Sequence, residues 1–383
     1  MSLLLLLFST LFCCQQTVLA QTMVTDMAGR QVSLPAKVNR IVLGEGRLFY
    51  ALALLEGKKP IDRLVGWQGD FRLLDPQSFA QYRRLFPAIE QISLIGKTTE
   101  NTVSAEKVLA LKPDIVILSI SGHGPSTHNE IVTQLQAAKV PVLFVDFRNA
   151  ALRNTIPSLR LMGKALQREE QAEKFIRFYE DNLKKVSAVV SKIPENKKPH
   201  VFVDLRAGMI ENITSAGNTG IGEFVTAAGG INIATPWLKD TMGEVNMEHL
   251  LAQQPALYMA TGTGAPQDKA GVKMGSEVQP EQALASLQVV AHRLQLSRLN
   301  AVKNNQVFGA WHHFYVTPYH MALLQAMAKW QHPGLFEKLD PQQTWRDMHQ
   351  QFLAIEPGGT FWIEAQARQQ VPGQPVATLK SAP

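Results

Sequence analysis

Charged, aromatic and imidazole side chains stand at the ends of the apolar runs of this sequence. Glu45 and Arg47 follow residues 40–43, Trp67 closes 64–67, and Ser121 and His123 follow 114–120. Arg148 follows 140–147, Arg206 follows 200–205, and Trp311 to Tyr315 end 306–311. If these runs are parallel strands, a ligand binds beyond their carboxyl ends. The candidate ligand-binding residues are therefore Arg47, Trp67, His123, Arg148, Arg206, Trp311 and Tyr315. Guanidinium groups bind oxyanions through paired donors and aromatic faces supply contact area, a combination suited to a large planar or anionic ligand.

Other chemistries have weaker support. His123 and His128 are five residues apart, and His312 and His313 are adjacent, pointing to opposite faces of a strand. Direct capture of zinc or manganese needs three or four converging ligands, so no direct metal site is expected. Gly217-Asn218-Thr219-Gly220, ahead of a helical run, has the look of a phosphate cradle. It lacks Walker A and dinucleotide spacing and reads better as a structural turn. With no Gly-x-Ser-x-Gly elbow and no nucleophile beside a base, no enzyme is expected. The rival from that class is a secreted metallohydrolase using His123, His312 and a carboxylate.

These residues need a scaffold. The polar run 168–193 carries Phe175, Ile176, Tyr179, Leu183, Val186, Val190 and Ile193 at three- and four-residue steps, one stripe of a helix roughly 39 Å long, closed by Pro194. Segments of matching register flank it, VSAEKVLALKPDIVIL from Val103 and VNMEHLLAQQPALYMA from Val245. Glu106 corresponds to Glu248, Leu109 to Leu251, Ala110 to Ala252 and Pro113 to Pro255. The expected fold is α/β: two similar lobes with mostly parallel sheets, joined by one long rigid helix, with a ligand cleft between them. The expected division is a leader at 1–20, lobes at 21–167 and 194–370, the spine at 168–193 and a loose tail at 371–383. Glu106 and Glu248 suit the first turn of a helix, where an acid complements the dipole, but their recurrence in both lobes also suits a two-fold partner.

At 383 residues the chain exceeds one ordinary core, and 45% apolar residues mark a globular protein. The N-terminal stretch MSLLLLLFSTLFCCQQTVLA reads as a secretory signal cleaved after Ala20. Cys13 and Cys14 both lie within it, so the mature chain has no thiol chemistry. The net charge of +6 comes from scattered pairs such as Lys58-Lys59 and Arg83-Arg84, which argues against nucleic acid and for small anions.

The segments TDMAGRQVSLPAKVNRIV, EKVLALKPDIVIL, EFVTAAGGINIA, EHLLAQQPALYMA, LNAVKNNQVFGAW and AKWQHPGLF resemble the periplasmic iron-siderophore and vitamin B12 binding proteins of ABC importers. The resemblance implies a monomeric periplasmic receptor without a reaction or intrinsic cofactor of its own. It would bind an Fe(III)-siderophore complex between its lobes and deliver it to an inner-membrane permease and its ATPase. By the same resemblance, Glu106 and Glu248 match the acids that contact the permease. Cobalamin and haem are the rivals within the family, with Tyr50, His123 or His312 as candidate axial ligands for haem. Residues 71–100 and those after Ile355 run longer than in many members.

Overall fold

The computed structural model describes residues 22–238 and 242–365. The expected signal segment with Cys13 and Cys14, and the expected tail from residue 371, lie outside them.

The first lobe opens with a hairpin of β1 (Met23–Thr25) and β2 (Gln31–Ser33). Asp26 ends the first strand: its Oδ1 accepts the backbone N–H groups of Ala28 and Arg30. Next come β3 (Ile41–Leu43), β4 (Leu64–Gln68), β5 (Ser93–Gly96), β6 (Ile115–Ser119) and β7 (Val142–Val145). They form one parallel sheet in the order β5-β4-β3-β6-β7. Strands β3, β6 and β7 are buried along their whole length, as expected where helices cover both faces.

The second lobe repeats the plan. β8 (His200–Asp204), β9 (Thr214–Ser215), β10 (Ile231–Asn232), β11 (Gly243–Glu244), β12 (Leu257–Gly262), β13 (Val307–Trp311) and β14 (Trp362–Glu364) follow in sequence. The main sheet runs β10-β8-β12-β13-β14, parallel except for β14, while β9 and β11 form a small antiparallel pair. In each lobe the order reverses at one strand pair, β3/β6 in the first and β8/β12 in the second. Such reversals open a crevice at the carboxyl ends.

The repeat seen in sequence extends to the backbone. Helix Ala105–Ala110 leads into β6 and helix Met247–Gln253 into β12. Just before Pro113 and Pro255, Lys112 and Gln254 both take left-handed geometry, with φ of 46° and 42°. Proline disfavours right-handed helical geometry in the residue before it, so each helix ends in the same way.

The spine is the helix Glu169–Val190, 22 residues. It stops three residues short of the sequence expectation, and Ser191 to Ile193 form a turn before Pro194. Phe175, Ile176, Tyr179 and Val186 are fully buried, whereas Leu183 and Val190 are only partly buried. The position they yield goes to Asn182, whose Oδ1 accepts from Gln325 Nε2 and Thr344 Oγ1, both at 3.0 Å. Tyr179 donates its hydroxyl proton to His320 Nε2, and His320 Nδ1–H donates to the Thr317 carbonyl at 2.7 Å. These bonds fasten the spine to the second lobe's helices His320–Gln331 and Pro341–Phe352.

A second tie joins the lobes. The long segment after β4 folds as helices Asp70–Leu74 and Pro76–Leu85 and reaches the other lobe. Ser78 Oγ lies 2.8 Å from Ser276 Oγ, Gln267 Nε2 donates to the Leu73 carbonyl at 3.0 Å, and Arg84 pairs with Glu277. This segment is a strap between the lobes.

Burial holds the imidazoles of His320 and His349 neutral, pushing both from 6.5 down to about 4. Because the folded-state values are lowered, the unfolded chain takes up protons first as pH falls. Stability is therefore expected to be full above the unfolded value and to fall on acidification, by about 2 kcal/mol per buried histidine at about pH 5. Urea unfolding across that range checks this, and a His320→Gln variant should show a shallower acid loss.

Candidate functional site

The turn after β3, Gly44-Glu45-Gly46-Arg47, lies at the reversal of the first sheet and holds a buried ion cluster. Arg47, 2% exposed, donates from Nε to Asp70 Oδ2 at 3.0 Å and from Nη2 to Glu45 Oε1 at 2.9 Å. Arg148, in the turn after β7, donates from Nη2 to the same Glu45 oxygen at 2.6 Å. Asp146 fixes that turn by accepting the N–H groups of Arg148 and Asn149, each at 2.9 Å. Close approach is possible only over glycine. At Gly122, with φ of 145°, a Cβ would come within 2.2 Å of Glu45 Oε2.

The cluster spans the two lobes. Arg148 Nη1 donates to the Tyr315 hydroxyl at 3.0 Å, and Arg47 Nη1 lies 3.3 Å from His313 Nδ1. His313 Nε2–H in turn donates to the Leu74 carbonyl at 3.0 Å. Burial pushes the Glu45 carboxyl up, but Arg148 and Arg47 more than offset it and hold it below its ordinary value. Burial raises Asp70, with Arg47 opposing. Two guanidiniums, those of Arg47 and Arg148, thus meet on Glu45, whose carboxyl they hold in the ionised form.

Beside the cluster a cavity of about 340 Å³ opens between the lobes, lined by His123, Arg148, Leu205, Arg206, Ala216, Gly220, Ile221, Met242, His312 and Tyr315. Arg206 is held there in left-handed geometry, φ 52°, its N–H bonded to Thr261 Oγ1 at 2.8 Å. That conformation costs a non-glycine residue about 1 kcal/mol and is kept only where the surroundings impose it. Among the described residues no carboxylate pairs with the Arg206 guanidinium. His312 is neutral: burial, then Arg206, lowers it to about 3.

Of the seven residues expected from sequence, His123, Arg148, Arg206 and Tyr315 line this cavity. Arg47, Trp67 and Trp311 do not. Arg47 lies beneath the floor, its charge consumed by Glu45 and Asp70. Trp67 packs on Phe49 at 5.4 Å between ring centroids, and Trp311 on Phe361 at 5.1 Å, inside the two aromatic cores. Tyr50, considered as an axial ligand, is buried and donates to Asp75. The 217–220 loop is the structural turn expected, pinned by Asn232 Nδ2 donating to Ala216 and Gly217 carbonyls at 2.9 Å, and it also lends Gly220 to the wall. His312, part of the strand-end run 311–315 but not among the seven, belongs to the wall, as do the apolar Leu205, Ile221 and Met242. The start of helix Ile221–Ala227 was the one sequence signal for that side. Among the described residues no three or more His, Cys, Asp or Glu side chains cluster as for a metal ion.

Glu106 and Glu248 both lie exposed in the first turn of their helices. Ser104 Oγ caps one helix, accepting from Lys107 N at 3.2 Å, and Asn246 Oδ1 the other, accepting from Glu248 N at 2.8 Å.

Replacing Glu45 by Ala leaves the Arg148 guanidinium without a carboxylate and Arg47 with Asp70 alone, and is expected to destabilise the fold by about 3–5 kcal/mol in urea unfolding. Arg206→Ala, which removes no described ion pair, is expected to stay within about 1 kcal/mol of the parent.

The chain matches the periplasmic binding protein family over residues 80–310. The molybdate-binding protein MolA of Haemophilus influenzae is 26% identical over 364 residues, 87% of this chain and 91% of MolA. The crystal structure of the TroA-like periplasmic binding protein FepB from Veillonella parvula superposes with a TM-score of 0.80 at 26% identity, covering 89% of this chain and 99% of that one. CeuE of Helicobacter pylori with Ni(II) bound gives 0.63 at 16% identity over 88% and 97%, a likeness of fold alone. No helix among the described residues is long and apolar enough to cross a membrane. With its two α/β lobes, its spine helix and a match over residues 80–310, the chain belongs to the periplasmic binding protein family of ABC importers, whose members bind substrates rather than transform them.

Proposed function

We propose that the protein binds an anionic ferric chelate of the siderophore class in the interlobe cavity and delivers it to an inner-membrane permease and its ATPase. The observation that carries this reading is the mixed wall. Arg148, Arg206 and the Tyr315 hydroxyl stand together, while Leu205, Ala216, Ile221 and Met242 supply apolar surface. Guanidinium and phenol groups answer the oxygens of a carboxylate or catecholate complex. Apolar side chains cover the chelator's carbon framework, which a bare oxyanion lacks. The iron arrives already coordinated, consistent with the lack of a described cluster of metal ligands.

A second reading rests on one observation: the relative that is 26% identical over 87% of this chain is named for molybdate. A tetrahedral oxyanion would use the same guanidiniums and leave the apolar side unfilled. Haem keeps only His123 and His312 as axial candidates, because Tyr50 is engaged by Asp75.

Two further parts belong to this proposal. Residues 1–20 act as a cleaved export signal, placing lobes 21–167 and 194–370 in the periplasm. Glu106 and Glu248, exposed at matching helix starts, meet basic residues on the two halves of the permease.

Calorimetric titration of the mature protein against ferric catecholates, hydroxamates and citrate, cobalamin, haemin, molybdate and free metal ions tests the ligand. One ferric chelate class should saturate the protein, and Arg148→Ala or Arg206→Ala should weaken it about 10- to 100-fold, the worth of a charge-assisted hydrogen bond. Saturation by molybdate with every chelate inert would establish the second reading instead. The double variant Glu106→Lys, Glu248→Lys should keep full ligand affinity and fail to stimulate the permease ATPase.

A further inference from the structure

The ligand cavity holds two imidazoles whose protons are placed by their neighbours. Thr261 is fully buried on β12, and its Oγ1 accepts the Arg206 N–H at 2.8 Å. The hydroxyl proton then needs an acceptor, and His312 Nδ1 at 3.0 Å is the one described. Nδ1 must therefore be bare and the imidazole proton must sit on Nε2. The reverse tautomer would set N–H against a hydroxyl whose own proton had nowhere to go, and a buried donor left unpaired is costly. His123 is placed the other way. Its Nδ1 lies 2.7 Å from the Thr98 carbonyl oxygen, which can only accept, so Nδ1 carries a proton; burial and then the Arg47 charge lower this imidazole from its ordinary value, which leaves Nε2 its lone pair. Among the described residues neither Nε2 has a protein partner, and both residues line the cavity.

The remaining polar wall consists of donors. Arg148 and Arg206 have no acceptor atom on their side chains. The Tyr315 oxygen already accepts from Arg148 Nη1 at 3.0 Å, so the phenol offers its proton. Glu45 does not alter this balance, because its Oε2 is sealed beneath the wall. The His312 and Tyr315 rings lie 5.0 Å apart, so the imidazole and phenol act on one region of the cavity.

We infer that the two cavity histidines are fixed in opposite neutral tautomers, His312 as an Nε2–H donor and His123 as an Nε2 acceptor. The ligand that satisfies both is an anion carrying one hydroxyl or N–H beside its charged oxygens. This refines the anionic-ligand reading above and rests on it for the ligand's identity. A hydroxycarboxylate, a partly protonated catecholate or a hydroxamate with a free N–H meets the requirement. An oxyanion without a proton leaves His123 facing lone pairs. Thr261 takes no part in contact; it is a positioning residue that sets the proton on His312.

Long-range proton–nitrogen NMR correlation on ligand-free protein with isotope-labelled histidine distinguishes the two neutral tautomers and the cation. His312→Gln and His123→Gln variants assign the signals. Near neutral pH, His312 should give the Nε2–H pattern and His123 the Nδ1–H pattern. The same tautomer at both sites, a swapped pair, or a charged ring at either would overturn the inference. Thr261→Ser should keep the His312 pattern, whereas Thr261→Val should turn it into a mixture; an unchanged His312 in the Val variant would remove Thr261 from its role. If the Val variant does not fold, the parent and Ser spectra decide. Because no ligand is present, these spectra stand apart from the ferric-chelate reading. Tautomers as stated with every ferric chelate inert would sink that reading and leave this one intact.

Discussion

Glu45 sits between two guanidiniums in the interior, and the arrangement of the site depends on that contact. Oε1 accepts from both Arg47 and Arg148. Burying charges is expensive, and the cost is offset only when every member has partners of good geometry. The sequence meets this with Asp70 on the far side of Arg47 and with glycines at 46 and 122, where a side chain would collide with the carboxylates. The result orders the turns after β3, β6 and β7 together. It also aims Arg148 at the cavity and joins the first lobe to Tyr315 and His313 of the second.

Those cross-lobe bonds limit how the protein can move. The spine is bolted to the second lobe through Asn182, Tyr179 and His320. On another side, the strap of residues 70–85 binds the 264–277 region through Ser78, Gln77 and Arg84. A molecule tied at both places and through a buried ion cluster is suited to small adjustments about a largely formed cavity, not to wide closure. Preorganisation of this kind lowers the entropic cost of capturing a ligand.

Much of this was legible in the sequence because it rests on periodicity and on short-range chemistry. The spine's apolar stripe, the apolar strands and the matched Glu-to-Pro registers all follow from local pattern, and the last reaches down to the left-handed Lys112 and Gln254. Strand-end reasoning found Arg148, Arg206, His123 and Tyr315 at the cavity. It failed for Arg47, Trp67 and Trp311 because a strand end fixes height above the sheet but not direction. One residue of offset turns a side chain from the cleft into the core. The roles of Glu45 and Asp70 were hidden for a different reason. They are 25 residues apart in sequence, and only the fold brings both to Arg47. The apolar wall was equally silent, since Leu205, Ile221 and Met242 look like any core residue until a cavity is found beside them.

The central claim is that an anion occupies the space between Arg148, Arg206 and Tyr315. It is met most directly by a crystal structure of the protein grown with the ferric chelate that binds it, with data collected at the iron absorption edge. The account predicts one strong anomalous peak in the interlobe cavity, with chelator oxygens against both guanidiniums and no protein atom replacing the chelator. A peak elsewhere on the surface, or bare metal held by His123 and His312 without a chelator, would contradict it.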